Sequence, residues 1–171
     1  MQKMVRMNIK PLMEDVFKDA PPTLRPVFKT QDNIYVFPNG SEIQLAGTDN
    51  GNHDKLRGGN AHLCLVDEAA FCSDLKYIIN SILIPSTTLT KGKIVLSSTP
   101  PRTPNHEFVK YMEMGDQQGL GIKKTIWDAV EDSKDEPNPR ITKEIVEDII
   151  KNMPNGDKSD EFRTEYMCGL S

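Results

Sequence analysis

The sequence predicts an α/β fold, and three stretches predict it. Leu63-Cys64-Leu65-Val66 is a continuous apolar run that stops abruptly at Asp67-Glu68, and Lys93-Ile94-Val95-Leu96 reads as a second buried strand that runs into Ser97-Ser98-Thr99-Pro100-Pro101. Between them Leu75, Ile78, Ile79, Ile82 and Leu83 recur at helical spacing. Apolar runs bounded by polar residues read as strands covered on both faces, and such strands belong to α/β sheets. Ligands of those sheets sit beyond the carboxyl ends of the strands, where Asp67, Glu68 and the Ser97 to Thr99 hydroxyls emerge.

Taken in order, Leu12, Met13, Val16 and Phe17 have helical spacing, which predicts a short helix over residues 11–17 that ends before Pro21-Pro22. Ile34-Tyr35-Val36-Phe37 and Ile43-Gln44-Leu45 flank Pro38-Asn39-Gly40-Ser41, a hairpin whose Asn-Gly pair tolerates the positive φ of a tight turn. Residues 48–59 contain three glycines and no apolar period, so they read as a loop entering the Leu63 strand. Ser73 and Asp74 are helix caps for the stripe beginning at Leu75. Beyond the second strand, residues 104–114 predict a helix with Phe108, Val109 and Met112 inward. Residues 122–127 predict a third strand, and residues 129–140, acidic and with two prolines, a linker. Residues 142–150 form an amphipathic helix with Ile141, Ile145 and Ile149 inward. Phe162, Tyr166 and Met167 belong to a last helix closed by Gly169.

Length and composition narrow the function classes. A chain of 171 residues suits one domain with one core. It has no apolar run of about 18 residues, and its start lacks the apolar core of a secretion signal, so a cytoplasmic location is expected. Cys64, Cys72 and Cys168 lack metal-ligand spacing and read as reduced thiols. The net charge of −4 argues against a surface that grips nucleic acid everywhere. Charge is nonetheless uneven: residues 1–30 and 91–124 each carry six Lys or Arg against three acids, whereas residues 128–165 carry twelve acids against six bases. The C-terminal part is therefore a solvated acidic surface.

The candidate chemistry lies at the two strand ends and in the loop before them. In nucleotide hydrolases an acid at such a strand tip holds Mg²⁺ while its neighbour orients or deprotonates water, a pairing that Asp67 and Glu68 could serve. Two solvated acids finishing a strand give the same pattern. Arg57, flanked by Gly58-Gly59, presents a planar fork of donors that fits a phosphate in its own or a neighbouring subunit, or it is simply solvated. Ser97, Ser98 and Thr99 can bond a γ-phosphate or its water, or can finish a turn.

Five segments in order, FPNGSEIQLAG, LRGGNAHLCLVDEAAF, IVLSSTPP, TKEIVEDIIKNM and FRTEYMCGL, resemble the ATPase domain of the large terminase subunit of tailed bacteriophages. The resemblance covers nearly the whole chain. It implies a partial P-loop NTPase of the RecA-like (ASCE) class, its sheet flanked by helices and carrying a β-hairpin. It also implies an ATP-driven motor that threads double-stranded viral DNA through a portal protein, together with a small terminase subunit and further large-subunit copies in a ring, in the cytoplasm of the infected or prophage-carrying bacterium. By that resemblance Asp67 serves Mg²⁺ and Glu68 is the catalytic base. Arg57 looks like the arginine finger that acts on a neighbour's ATP. Ser97, Ser98 and Thr99 resemble the coupling motif that senses the γ-phosphate.

The sequence departs from that family in one respect. It contains no G-x-x-x-x-G-K-[ST]; its one Gly-Lys pair, Gly92-Lys93, is followed by Ile94. The expectation is thus that residues 1–171 form the later part of the ATPase domain, from the Walker B strand onward. They would lack the phosphate-loop strand and the nuclease domain, as a fragment or one product of a split gene, and the chain alone would bind Mg²⁺ and ATP weakly without hydrolysing it. The alternatives are a non-catalytic ATPase-like binding or assembly module, and an unrelated two-metal nuclease, which lacks a second acid cluster.

Overall fold

The computed structural model describes residues 9–48 and 56–170, so part of the 48–59 loop falls outside the described residues. Among the described residues the fold is mixed α/β with two small sheets, and the chain divides into two compact units. One comprises Met1–Cys64 and Lys76–Lys93, the other Leu65–Leu75 and Ile94–Ser171.

The first unit begins with helix α1, Lys10–Phe17. Pro11 sits in its first turn, where a missing N–H costs nothing, and Lys10 pairs with Glu14 one turn on. Arg25 folds back to donate to the carbonyls of Ala20 at 2.7 Å and Lys18 at 2.6 Å, so the chain just past the helix has donors for its exposed carbonyls. Strands β1 (Val27–Lys29), β2 (Ile34–Val36) and β3 (Glu42–Gln44) form an antiparallel meander, with Phe28 opposite Tyr35 and Tyr35 opposite Ile43. Tyr35 is its centre, only 2% exposed, with the Phe28 ring at 4.6 Å and the Phe17 ring edge-on at 5.3 Å. Such aromatic pairs contribute roughly 0.5–1.5 kcal/mol each beyond burial.

The hairpin lies where the sequence predicts it, but its turn differs. Only Gly40 takes a positive φ, +85°. Phe37 N–H donates to Ser41 O and Gly40 N–H to Phe37 O, a three-residue loop with the left-handed residue last. Asn39 contributes through its side chain instead, accepting from Ser41 N–H at 3.0 Å. β1 escapes the sequence reading because it is three residues long and follows a proline.

Helix α2 spans residues 75–88 as an α turn (Leu75–Tyr77), a π segment (Ile78–Leu83) and a second α segment (Ile84–Thr88). All five residues of its predicted stripe are buried. Pro85 has no N–H to give and its ring excludes a carbonyl four residues back, a conflict that the wide π turn before it accommodates. In the first unit, the Ser86 and Thr87 carbonyls at its end accept from Ala61 and Gly92 N–H. A Cβ at Gly92 would lie 2.4 Å from Ala61 O and 2.9 Å from His62 O, so this glycine is set by close backbone packing.

Strands β4 (Leu63–Val66) and β5 (Lys93–Leu96) pair with each other. Lys93 N–H donates to His62 O at 3.0 Å and Ser97 N–H to Val66 O at 2.9 Å; the constant offset makes the pair parallel. The expectation of cover on both faces does not hold. Val66 is buried and Cys64 half-buried, but Leu63 and Leu65 are 55% and 70% exposed, because no described segment packs over that face. An uninterrupted apolar run hides this alternation, since both faces carry apolar side chains.

The second unit contains helices α3 (Glu107–Gln117), α4 (Ile126–Ser133), α5 (Lys143–Asn152) and α6 (Asp160–Glu165). Residues 122–127 are not a strand, and residues 129–140 are not all linker. Thr125 caps α4 in a reciprocal box with Asp128, and that start signal outweighs the β-branched character of the segment. In α5, capped by Thr142, the buried residue is Val146, 0% exposed, while the predicted Ile145 is 41% exposed. Val146, with the half-buried Ile149 and Ile150 three and four positions on, marks the inward stripe instead. Phe162 of α6, 2% exposed, stacks on Tyr166 at 5.3 Å. Cys168, not Gly169, takes the left-handed conformation after α6, and Gly169 N–H donates back to Arg163 O at 2.8 Å. Among the described residues, no helix is long and apolar enough to cross a membrane.

Candidate functional site

Parallel pairing delivers the ends of β4 and β5 to the same edge, and the site is built there within the second unit. Ser97 N–H holds Val66 O, and Ala69 N–H comes back to Ser97 O at 3.0 Å, so the chain from Val66 to Ala69 arches over the end of β5. Asp67 lies on that arch. Its Oδ1 accepts the Ser97 hydroxyl at 2.7 Å, with both residues exposed. A hydrogen bond to an ionised carboxylate is among the stronger kinds and fixes the carboxylate's orientation.

Glu68 is the sharpest point of the arch, with φ +52° and ψ +41°, the left-handed region that costs a non-glycine residue about 1–3 kcal/mol. It is held there by its carbonyl, which accepts from Phe71 N–H at 2.9 Å. The Ala69–Ser97 bond fixes the following peptide. Next come the short 3₁₀ turn Ala69–Phe71 and the buried Cys72. Ser98 Oγ accepts from Ala70 N–H at 3.1 Å, so one hydroxyl of the predicted trio serves the carboxylate and the next serves the backbone below it. Thr99 follows, half-buried, ahead of the buried Pro100 and Pro101.

Sequence reasoning missed His106. Its Nδ1 accepts from Phe108 N–H at 3.1 Å, capping α3, and its Nε2 lies 3.1 Å from Cys72 O. An accepting Nδ1 places the ring proton on Nε2, which then donates to Cys72 O. The imidazole thus ties the end of the arch to the helix start. Histidine is not among the favoured capping residues, so the pattern at 104–108 gives no sign of it.

Arg57 belongs to the first unit, whereas Asp67, Glu68, Ser97 and Ser98 belong to the second. Its guanidinium bonds the Tyr77 hydroxyl, and its Cζ stands 5.4 Å from the centre of the Tyr77 ring. Twenty residues separate the two, and nothing in the sequence marks Tyr77 as the partner.

Among the described residues, no group of three or more His, Cys, Asp or Glu is arranged to hold a metal ion. A dedicated protein cage would need such a group, whereas Mg²⁺ accompanying a nucleotide takes one or two carboxylates and completes its shell with phosphates and water. Asp67, a hard oxygen donor held in place by Ser97, fits the second case.

Comparison with curated proteins and with solved structures gives no match. Comparison with family models gives one, described as the N-terminal part of the T4-like virus type of terminase large subunit, over residues 8–168. With nearly all of its 171 residues inside that match, the chain belongs to the T4-like terminase large subunit family, whose role is in phage DNA packaging.

Proposed function

We propose that this chain is part of the ATP-driven motor that packages double-stranded viral DNA, and that it contributes the acid-bearing edge of a P-loop type ATPase site from the Walker B strand onward. The observation that carries the reading is the Asp67–Ser97 bond beside the strained Glu68, at the common edge of two parallel strands. Strain retained at a strand tip points to function rather than packing. A non-catalytic docking module would gain nothing by keeping it.

In this reading Asp67 would hold the Mg²⁺ of a bound ATP, which would supply charge compensation for phosphoryl transfer. Glu68, next along the arch, orients and deprotonates the attacking water. Ser97 can exchange its hydroxyl between Asp67 and a γ-phosphate oxygen, which makes it a sensor of whether that phosphate is present. Ser98, bonded to Ala70 N–H, carries the resulting movement into the Ala69–Phe71 turn. Thr99 completes this coupling stretch. Arg57 supplies an arginine finger to ATP held by a neighbouring copy. Portal protein, small terminase subunit and other large-subunit copies are the proposed partners.

The test uses a packaging assembly that contains this chain together with a phosphate-binding loop. Glu68→Gln should abolish hydrolysis, and Arg57→Ala should lower it on the order of 10³-fold with little change in ATP binding. Mixing the two variants should restore activity at interfaces that pair one intact Arg57 with one intact Glu68. Full activity in Glu68→Gln would remove the catalytic reading and leave the docking module.

A further inference from the structure

The contact between Arg57 and Tyr77 belongs to the first unit and has no part in the roles described so far. Arg57 is exposed, stands in a turn next to Gly58 at φ +81°, and reaches across to α2. Tyr77, 40% exposed, closes the first α turn of that helix, immediately before the π segment at Ile78. Ring and guanidinium meet in two ways: the hydroxyl accepts from Nη2, and the cation lies over the ring at 5.4 Å from its centre. Both partners belong to the same compact unit.

We propose that Tyr77 is the positioning residue for Arg57, holding the guanidinium on α2 so that a glycine-flanked arginine is presented in one orientation. The attraction between the cation and the ring consumes no N–H donor, whereas recognition of a phosphate uses the N–H groups, so one contact can persist while the other forms. A phosphate dianion is a stronger acceptor than a phenol, so it displaces the hydroxyl without displacing the ring. The cost of ordering a long side chain on a turn is thereby met before the phosphate arrives, which is the physical content of preorganisation. The functional half of this proposal rests on the finger reading of Arg57; the contact itself does not.

Trypsin offers a direct probe, because its specificity pocket must take the same guanidinium that Tyr77 holds. On the 171-residue chain, cleavage after Arg57 is followed by mass spectrometry for the unsubstituted protein, Tyr77→Phe, Tyr77→Trp and Tyr77→Leu. Leu retains apolar bulk and helix propensity without a π face. Cleavage at Arg57 should rise on the order of 5-fold in Tyr77→Leu, the amount an exposed cation–π contact and one hydrogen bond hold together, and less in Tyr77→Phe and Tyr77→Trp. Cleavage at other sites should stay level, and the melting temperature should fall by no more than about 4 °C. Equal cleavage at Arg57 in all four proteins, or a rise at every site alike, overturns the proposal.

A second arm separates it from the finger reading. In the packaging assembly, Tyr77→Leu should lower kcat about 10-fold at unchanged KM, with Tyr77→Phe between the two, and should have no further effect once Arg57→Ala is present. If Arg57→Ala lowers turnover but Tyr77→Leu does not, the positioning role is wrong and the finger stands. If Arg57→Ala leaves turnover unchanged, the finger reading fails and the functional half of the proposal fails with it, whatever trypsin shows.

Discussion

The Ser97 hydroxyl donates to the Asp67 carboxylate at 2.7 Å across the ends of two parallel strands, while its neighbour Ser98 accepts from the Ala70 amide. Two adjacent hydroxyls thus have different duties, and substitution should separate them. Ser97→Ala removes an exposed contact and should change stability by less than about 0.5 kcal/mol. In an ATP-hydrolysing assembly it should weaken Mg²⁺-dependent activity on the order of 10-fold, as loss of a group orienting a metal-binding carboxylate does. Ser98→Ala leaves a part-buried amide without its acceptor and should cost about 1–2 kcal/mol in urea unfolding. Equal effects of the two in both assays would show that the hydroxyls are interchangeable.

Glu68→Gly should make the protein more stable and the assembly inactive. Relief of the left-handed conformation outweighs the added backbone freedom of glycine by about 0.5–1 kcal/mol. Thermal melts against Glu68→Ala, which loses the carboxylate but keeps the strain, isolate the backbone term. A glycine variant no more stable than the alanine variant would mean that the arch relaxes in solution.

Acid should loosen the second unit through its helix caps. Asp128 accepts from the Thr125 amide and hydroxyl, at 2.8 Å each, and these bonds hold its carboxyl below the usual 3.8. Glu144 is likewise lowered, first by its own backbone N–H and then by Thr142. A carboxyl depressed in the folded state stabilises above its unfolded value and loses that contribution as pH falls through the folded value. Melting temperature should therefore be level from pH 6 to about 4.5 and then decline below the usual carboxylate range. Asp128→Asn should flatten part of the decline. At neutral pH, Thr142→Ala should cost about 1 kcal/mol by uncapping α5.

Gly92→Ala tests the one Gly-Lys pair of the sequence. Its Cβ would meet backbone oxygen at 2.4 Å, with no flexible side chain to give way, so a loss on the order of 3 kcal/mol is expected from chemical denaturation. Gly40→Ala, at φ +85° but with open space around it, should cost about 1 kcal/mol. A tolerated Gly92→Ala would show that the α2 to β5 connection shifts outward.

What the sequence disclosed follows from what periodicity can carry. The α2 stripe repeats over more than two turns, and all five residues are inside; the Asn-Gly hairpin is local, and it forms. The acids and hydroxyls at the strand ends were legible because a change from apolar to polar marks where a strand emerges. Periodicity failed where a cap outweighed propensity, as Thr125 and Asp128 did for the segment read as a strand. It failed again where an apolar run concealed an exposed face, as at Leu63 and Leu65. His106 and Tyr77 were beyond reach, since their partners lie 34 and 20 residues away and no local pattern encodes such distances.

Those distances also order events in time. The meander around Tyr35 is made of neighbours joined by tight turns, the kind of pairing that closes in about 1–10 μs. Asp67 meets Ser97, thirty positions on, only after the segment between them, helix α2 included, has folded back to set β5 beside β4. Closing so long a segment before any bond rewards it slows assembly. The acid-bearing edge is therefore a late product of folding, and as the chain leaves the ribosome the carboxylates wait for their hydroxyl partners to be made. Pulse-labelled amide exchange should show the Tyr35 amide protected before the Ala69 and Ala70 amides, which answer to Ser97 and Ser98.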